Sequence, residues 1–151
     1  MTDISITGVL PRRAGIGRRE LAAAARYFAG MASRRAGKPF AAVSIILQND
    51  AESAAAHVSV MDVAGPTDVI TQPFDPMPGE EDGVYGELYV NCDRAVSEGS
   101  RRGRTPAGEL LLYVAHGMDH LSGADDALEA GRRAMRRREL GWVAAFWRAS
   151  R

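Results

Sequence analysis

The chain has 151 residues, 46% apolar and 25% charged, with 19 basic residues balancing 19 acidic ones. That length suits one domain spanning residues 1–151 with a sizeable core, and a single cysteine, Cys92, excludes an internal disulfide framework and suits a reducing compartment. No apolar run approaches the roughly 20 residues of a membrane span, and the opening "MTDISITGVLPRR" lacks a signal peptide's apolar segment, so a soluble cytoplasmic protein is expected.

In chain order, "DISITGVL" alternates and predicts a first strand, closed by Pro11. Residues 18–35 carry Leu21, Ala24, Ala25, Phe28 and Met31 at helical spacing, and Gly37 with Pro39 should end that helix. "FAAVSIILQ" reads as an interior strand. Asn49 with Glu52 three residues on predicts a capping box, opening a short helix to about Met61. "TDVITQPF" predicts the next strand, "DPMPGEEDG" a loop, and "VYGELYVN" a further strand with Val84, Gly86, Leu88 and Val90 on one side. A short helix from about Asp93 to Gly99 follows. Thr105 as cap with Pro106 behind it then opens "PAGELLLYVAHGMDHLSG", apolar round much of its circumference and so central. The last helix, from about Ala127 to Ala149, is arginine-rich, and Trp142, Phe146 and Trp147 should pack it down. The expectation is an α+β domain: a small mixed sheet of about four strands packed with helices, order β-α-β-α-β-β-α-α-α.

The balanced net charge hides an asymmetry. Residues 1–38 hold eight cations against Asp3 and Glu20, residues 39–100 hold Arg94 against eleven acids, and residues 101–151 hold ten cations against six acids. All the cations but Lys38 are arginine. Basic ends flanking an acidic middle hint at a polyanionic partner, although arginine runs also serve as plain solvated helix faces.

The central helix carries the chemistry. Residues i and i+4 of a helix lie about 40° apart around its axis, so His116 and His120 project side by side and can reach one ion. Gly123 can end the helix and turn the chain back, which brings Asp126 within reach as a third ligand, with Asp125 as the alternative. Two imidazoles and one carboxylate leave a position open on zinc, as catalytic sites do. A satisfied helix end with a capping turn is the plainer reading. The spacing is also that of the extended zinc-peptidase motif, but the water-activating glutamate is replaced by Gly117, which has no group to take a proton. The same ligand set also suits ferrous oxygenases, which usually present it from a β-barrel.

With these residues in view, the sequence resembles the YbeY family of bacterial endoribonucleases, the ribosomal RNA maturation factors. "HGMDHLSGADD" is similar to the family's HGxLHLxGYDH, "PTDVITQPFD" to its PTDVLSFPF strand, and "GELYVNCDRA" to its GDIxIxxDRA strand and turn. "VSIILQNDAESAAAHVSVM" resembles the preceding strand and helix, so the likeness runs from about Ser5 to Leu140.

The resemblance implies one Zn²⁺ per chain on His116, His120 and Asp126, with aspartate where the family usually has a third histidine. It implies a metal-dependent, single-strand-specific endoribonuclease of ribosomal RNA maturation, including 16S 3′-end processing and ribosome quality control. Its partners would be ribosomal RNA and small-subunit proteins, with no membrane. The metal would polarise a phosphate oxygen or activate a water. A metal-bound water is the proposed nucleophile, and no side chain is assigned a catalytic role.

The resemblance also places Thr67 and Asp68 near the cleft, with capping and pairing at a strand start as their plainer role. Arg101, Arg102 and Arg104, or the arginines of "GRRAMRRRE", are candidates to hold the RNA backbone. Two departures stand out. Asp119 replaces an apolar residue, and Met61 stands where many members carry a phosphate-facing arginine, with His57 at a position that is often asparagine. The alternatives are a zinc peptidase-like hydrolase and a non-catalytic assembly factor that binds RNA.

Overall fold

A computed structural model describes residues 1–150. Strand β1 (Asp3–Thr7) leads through a short 3-10 turn (Arg12–Ala14) into helix α1 (Arg18–Ala36), which stops at Gly37 with φ +71°. Strand β2 (Phe40–Gln48) precedes α2 (Asp50–Met61), whose expected capping box is present: Asn49 Oδ1 accepts from Glu52 N at 2.8 Å and Glu52 Oε1 from Asn49 N at 3.0 Å. Strands β3 (Val69–Phe74) and β4 (Val84–Asn91) follow, then α3 (Cys92–Arg101), α4 (Pro106–Leu121) and α5 (Glu129–Ala149). The element order agrees with expectation. Helix α3 is longer than "Asp93 to Gly99" because Asn91 caps it, accepting from Arg94 N at 3.1 Å.

The sheet order is β1-β2-β4-β3. The first three of these strands run parallel and β3 is antiparallel to β4, with Val69 opposite Val90 and Phe74 opposite Tyr85. Period-2 alternation sends Val43, Ile45 and Leu47 of β2 and Val84, Leu88 and Val90 of β4 into the core. Helix α1 contributes Leu21, Ala24, Ala25, Phe28, Ala29 and Ala32 to that core, while Met31 is only partly buried at its margin. Phe146 of α5 packs against Tyr27 and Phe28 of α1, with ring centroids 5.7 and 6.0 Å apart; Trp142 and Phe146 are core as expected, and Trp147 is partly buried against them.

Helix α4 is buried on nearly every side: Leu110, Leu111, Val114, Ala115 and Met118 are all fully enclosed. Gly117 sits against β4, where an added Cβ would meet the Leu88 methyls at 2.6 and 2.9 Å. The glycine is thus a packing requirement. A glutamate there would have to push aside the buried Leu88 side chain, so packing as well as chemistry disfavours the peptidase's general base at this position. No helix among the described residues is long and apolar enough to cross a membrane.

Candidate metal centre

Edge strand β3, the last turns of α4, the start of α5 and the end of α2 enclose a cleft of about 660 Å³. Its wall includes Thr67 and Asp68 on one side and His116, His120 and Asp126 on the other. One donor atom from each of those last three residues can be chosen so that all lie within 4.8 Å of one another. His120 Nε2 is 3.3 Å and His116 Nε2 3.7 Å from Asp126 Oδ2. The rings meet edge to face with centroids 4.6 Å apart, the side-by-side projection expected of an i, i+4 pair.

What aims these atoms is the bonding on the far side of each ring. His116 Nδ1 lies 2.7 Å from Oε2 of Glu139, a buried carboxylate on α5. His120 Nδ1 lies 3.1 Å from the Ala124 carbonyl oxygen, in the turn that Gly123 makes with φ +100°. Both acceptors call for Nδ1–H, so both Nε2 lone pairs face the cleft, the arrangement that ligating histidines usually show. Asp125 is turned away: its Oδ1 accepts from Ala127 N at 2.9 Å, and Asp126 is the acid that faces the imidazoles. Arg132 steadies this turn, donating from Nη1 to the Asp126 and Ala127 carbonyl oxygens at 3.3 Å each.

Burial alone would lower the His116 pKa, but the hydrogen bond and charge of Glu139, with the charges of Asp126 and Asp68, outweigh it and raise the pKa. Two borderline nitrogens and a hard oxygen, partly exposed and converging, fit a divalent cation with coordination positions left open. Cys92 is no competing ligand or nucleophile. It is buried at the head of α3, and desolvation pushes its thiol up to about 11.

The sequence-selected neighbours divide. Asp119 does not touch the centre: it is fully buried and bound through both oxygens by Arg138 of α5, at 2.8–3.1 Å, with Arg35 of α1 at 3.7 Å. Arg101 and Arg104 lie outside the cleft wall. Arg101 pairs with Glu98 at 2.9 Å and Arg104 with the buried Glu109 at 3.1 Å. Arg102 does border the cleft but is held by Glu98 and Glu109 at 3.2 and 3.0 Å. Met61 and His57 are on the α2 wall, and the His57 ring contacts the Gly65 carbonyl oxygen through Nδ1 at 2.8 Å.

Sequence reasoning missed Glu139. The signal was there: Met135, Glu139, Trp142, Val143 and Phe146 share one helical face, and a lone carboxylate on an apolar stripe needs a partner.

Comparison with known proteins bears directly on this arrangement. Residues 16–146 match the family model described as Endoribonuclease YbeY. The chain belongs to the YbeY family. Among YbeY relatives, the Endoribonuclease YbeY of Kineococcus radiotolerans is 37% identical over 120 residues, covering 73% of this chain and 69% of that protein. The YbeY of Acidothermus cellulolyticus is 33% identical over 123 residues, covering 75% and 74%. Among solved structures, the solution structure of TM1509 from Thermotoga maritima superposes with a TM-score of 0.64 at 26% identity, covering 97% of this chain and 89% of that one.

Proposed function

We infer that this chain is an endoribonuclease acting in ribosomal RNA maturation, as its YbeY relatives are named, and that it works with one zinc ion held by His116, His120 and Asp126. The observation that carries the reading is the convergence of two imidazole Nε2 atoms and one carboxylate in the cleft of a YbeY-family fold. A divalent cation in such a set supplies Lewis-acid polarisation of a phosphate oxygen and lowers the pKa of a water. Zinc is favoured over harder ions by the two nitrogen donors.

The protein's own residues do the rest. Glu139 and the Ala124 carbonyl lock the imidazole tautomers and ring planes, so that little reorganisation is needed on binding. Thr67 Oγ1 donates to Asp68 Oδ1 at 3.2 Å, and Ser53 Oγ links to both Thr67 N and Thr67 O, which fixes the wall facing the histidines. A single-stranded substrate is part of the same reading, carried by the resemblance to the family. Processing near the 16S 3′ end, contact with small-subunit proteins and residence in the cytoplasm are parts of the same proposal.

The test begins with metal content, for wild type and for His116→Ala and Asp126→Ala, purified without added metal and then zinc-loaded. One zinc per chain in wild type, lost or sharply reduced in both variants, is expected, together with cleavage of a single-stranded precursor RNA by wild type alone. A wild type that takes up no zinc would end the catalytic reading and favour an RNA-binding assembly factor.

A further inference from the structure

A cleft that accepts a polyanion needs cations that are not already neutralised, and the described residues supply very few. Three arginines border it: Arg102, Arg132 and Arg136. Arg102 is engaged by two carboxylates, Glu98 and Glu109. On α5, Arg133 is paired with Glu129 at 2.6 Å and Arg138 with Asp119. Arg132 forms no ion pair, and its bonds to two carbonyl oxygens use one nitrogen, leaving Nε and Nη2. Arg136 has only Glu139 within reach, 3.5 Å from its Oε1 and without a hydrogen bond, while Oε2 of the same carboxylate holds His116. The α2 wall opposite offers Met61 and His57 but no arginine or lysine.

Arg132 and Arg136 are exposed and four residues apart on one helix, so they stand on the same face about 6 Å apart along the axis. That separation is comparable to the step between successive phosphates of an unstacked strand. Their guanidinium forks suit phosphate oxygens bidentately.

We propose that Arg132 and Arg136 form the phosphate-binding edge of the cleft, each taking one of two consecutive phosphates of a single RNA strand laid along α5 beside the metal ligands. This rests on the ribonuclease reading. The strand's path is thereby set on the α5 side. Because Arg132 also braces the Asp126 turn, it links strand binding to the ligand loop.

The test is fluorescence anisotropy of zinc-loaded protein with a short fluorescein-labelled single-stranded RNA over a potassium chloride series, with probe integrity checked on a gel. Variants are Arg132→Ala, Arg136→Ala and the double, beside Arg19→Ala, which removes a cation from the exposed side of α1, a helix with no residue in the cleft wall. Each cleft substitution should flatten the slope of log affinity against log salt by about 0.7, and the double by about 1.4, whatever the RNA sequence. Arg19→Ala should keep the wild-type slope. Zinc content and melting temperature of every variant separate loss of contact from loss of fold. Arg136 touches nothing in the ligand loop but lies 3.5 Å from Glu139, so a flattened slope in an Arg136→Ala protein with wild-type zinc content is the decisive result. A double variant with the wild-type slope, in a protein that binds and cleaves RNA, would overturn this proposal and leave the ribonuclease reading standing. A wild type that neither binds nor cleaves RNA would overturn both.

Discussion

Replacing Arg138 by methionine should cost much more stability than replacing its partner Asp119 by leucine, although each change removes the same ion pair. The asymmetry follows from burial: the Asp119 side chain is 0% exposed and that of Arg138 is 27% exposed. Without Arg138, the buried carboxylate keeps only Arg35 Nε at 3.7 Å and a long contact from Ser122 Oγ at 3.4 Å. Stranding a buried charge costs about 3–5 kcal/mol, and the residual pull of Arg35 sets the expectation at the low end, about 3 kcal/mol. Without Asp119, the guanidinium can follow its stem into water while leucine takes up the enclosed space, so a loss of about 1 kcal/mol or less is expected.

At about 2–4 °C per kcal/mol for a chain of this size, Arg138→Met should melt about 6–12 °C below wild type and Asp119→Leu at most about 4 °C below. The double variant should recover to the Asp119→Leu value or better, because no uncompensated charge remains. Thermal melts and urea titrations by circular dichroism, compared at unchanged m-value, measure all three. If Asp119→Leu proves the costlier single change, or the double is as weak as Arg138→Met, the desolvation argument is wrong.

The proposed metal centre should respond to its supporting carboxylate. Glu139→Gln keeps an acceptor for His116 Nδ1 but not the charge, and should weaken zinc binding about tenfold, with Glu139→Ala approaching about a hundredfold, read by competition with a chromogenic chelator. Unchanged affinity in Glu139→Ala would show that His116 needs no such support. The metal-free protein should also lose stability as pH rises. The His116 pKa is raised above its ordinary 6.5, so protonation favours the fold fully below 6.5, and that contribution disappears as pH climbs through the higher folded-state value. Melting temperatures of chelator-treated protein across that range check the sign, and Glu139→Gln should flatten the dependence.

Much of this architecture was legible because local signals agreed with the fold. The Asn49–Glu52 box, Thr105 with Pro106, and Gly37 are short-range devices whose chemistry is complete within a few residues. The His116–His120 pair is equally local, since helical periodicity alone sets the two imidazoles side by side.

What could not be read were partners brought together by packing. Glu139 lies 23 residues from His116 in sequence, and Arg138 lies 19 from Asp119. Only the docking of α5 on α4 joins either pair. The arginine clusters looked alike as text, and it is the placement of Glu98, Glu109, Glu129 and Asp119 that neutralises Arg101, Arg102, Arg104, Arg133 and Arg138, leaving Arg132 and, 3.5 Å from Glu139, Arg136 on the cleft wall and Arg137 outside it.

The burial of α4 has a consequence for how the chain chooses its ion. Twelve of the helix's sixteen residues are buried, and a close-packed interior does not yield by fractions of an ångström, so the backbone positions that carry the two half-buried imidazoles are firmly spaced. The third donor is mounted differently: Asp126 is 41% exposed and rides on a turn outside any helix or strand. An ion of another radius would be met by movement of that carboxylate alone. If the proposed centre holds a metal, the two nitrogen donors on the interior helix set the preference for ion type, and adjustment to ion size falls to the seven residues from Ser122 to Leu128, which could be exchanged while the interior stays as it is.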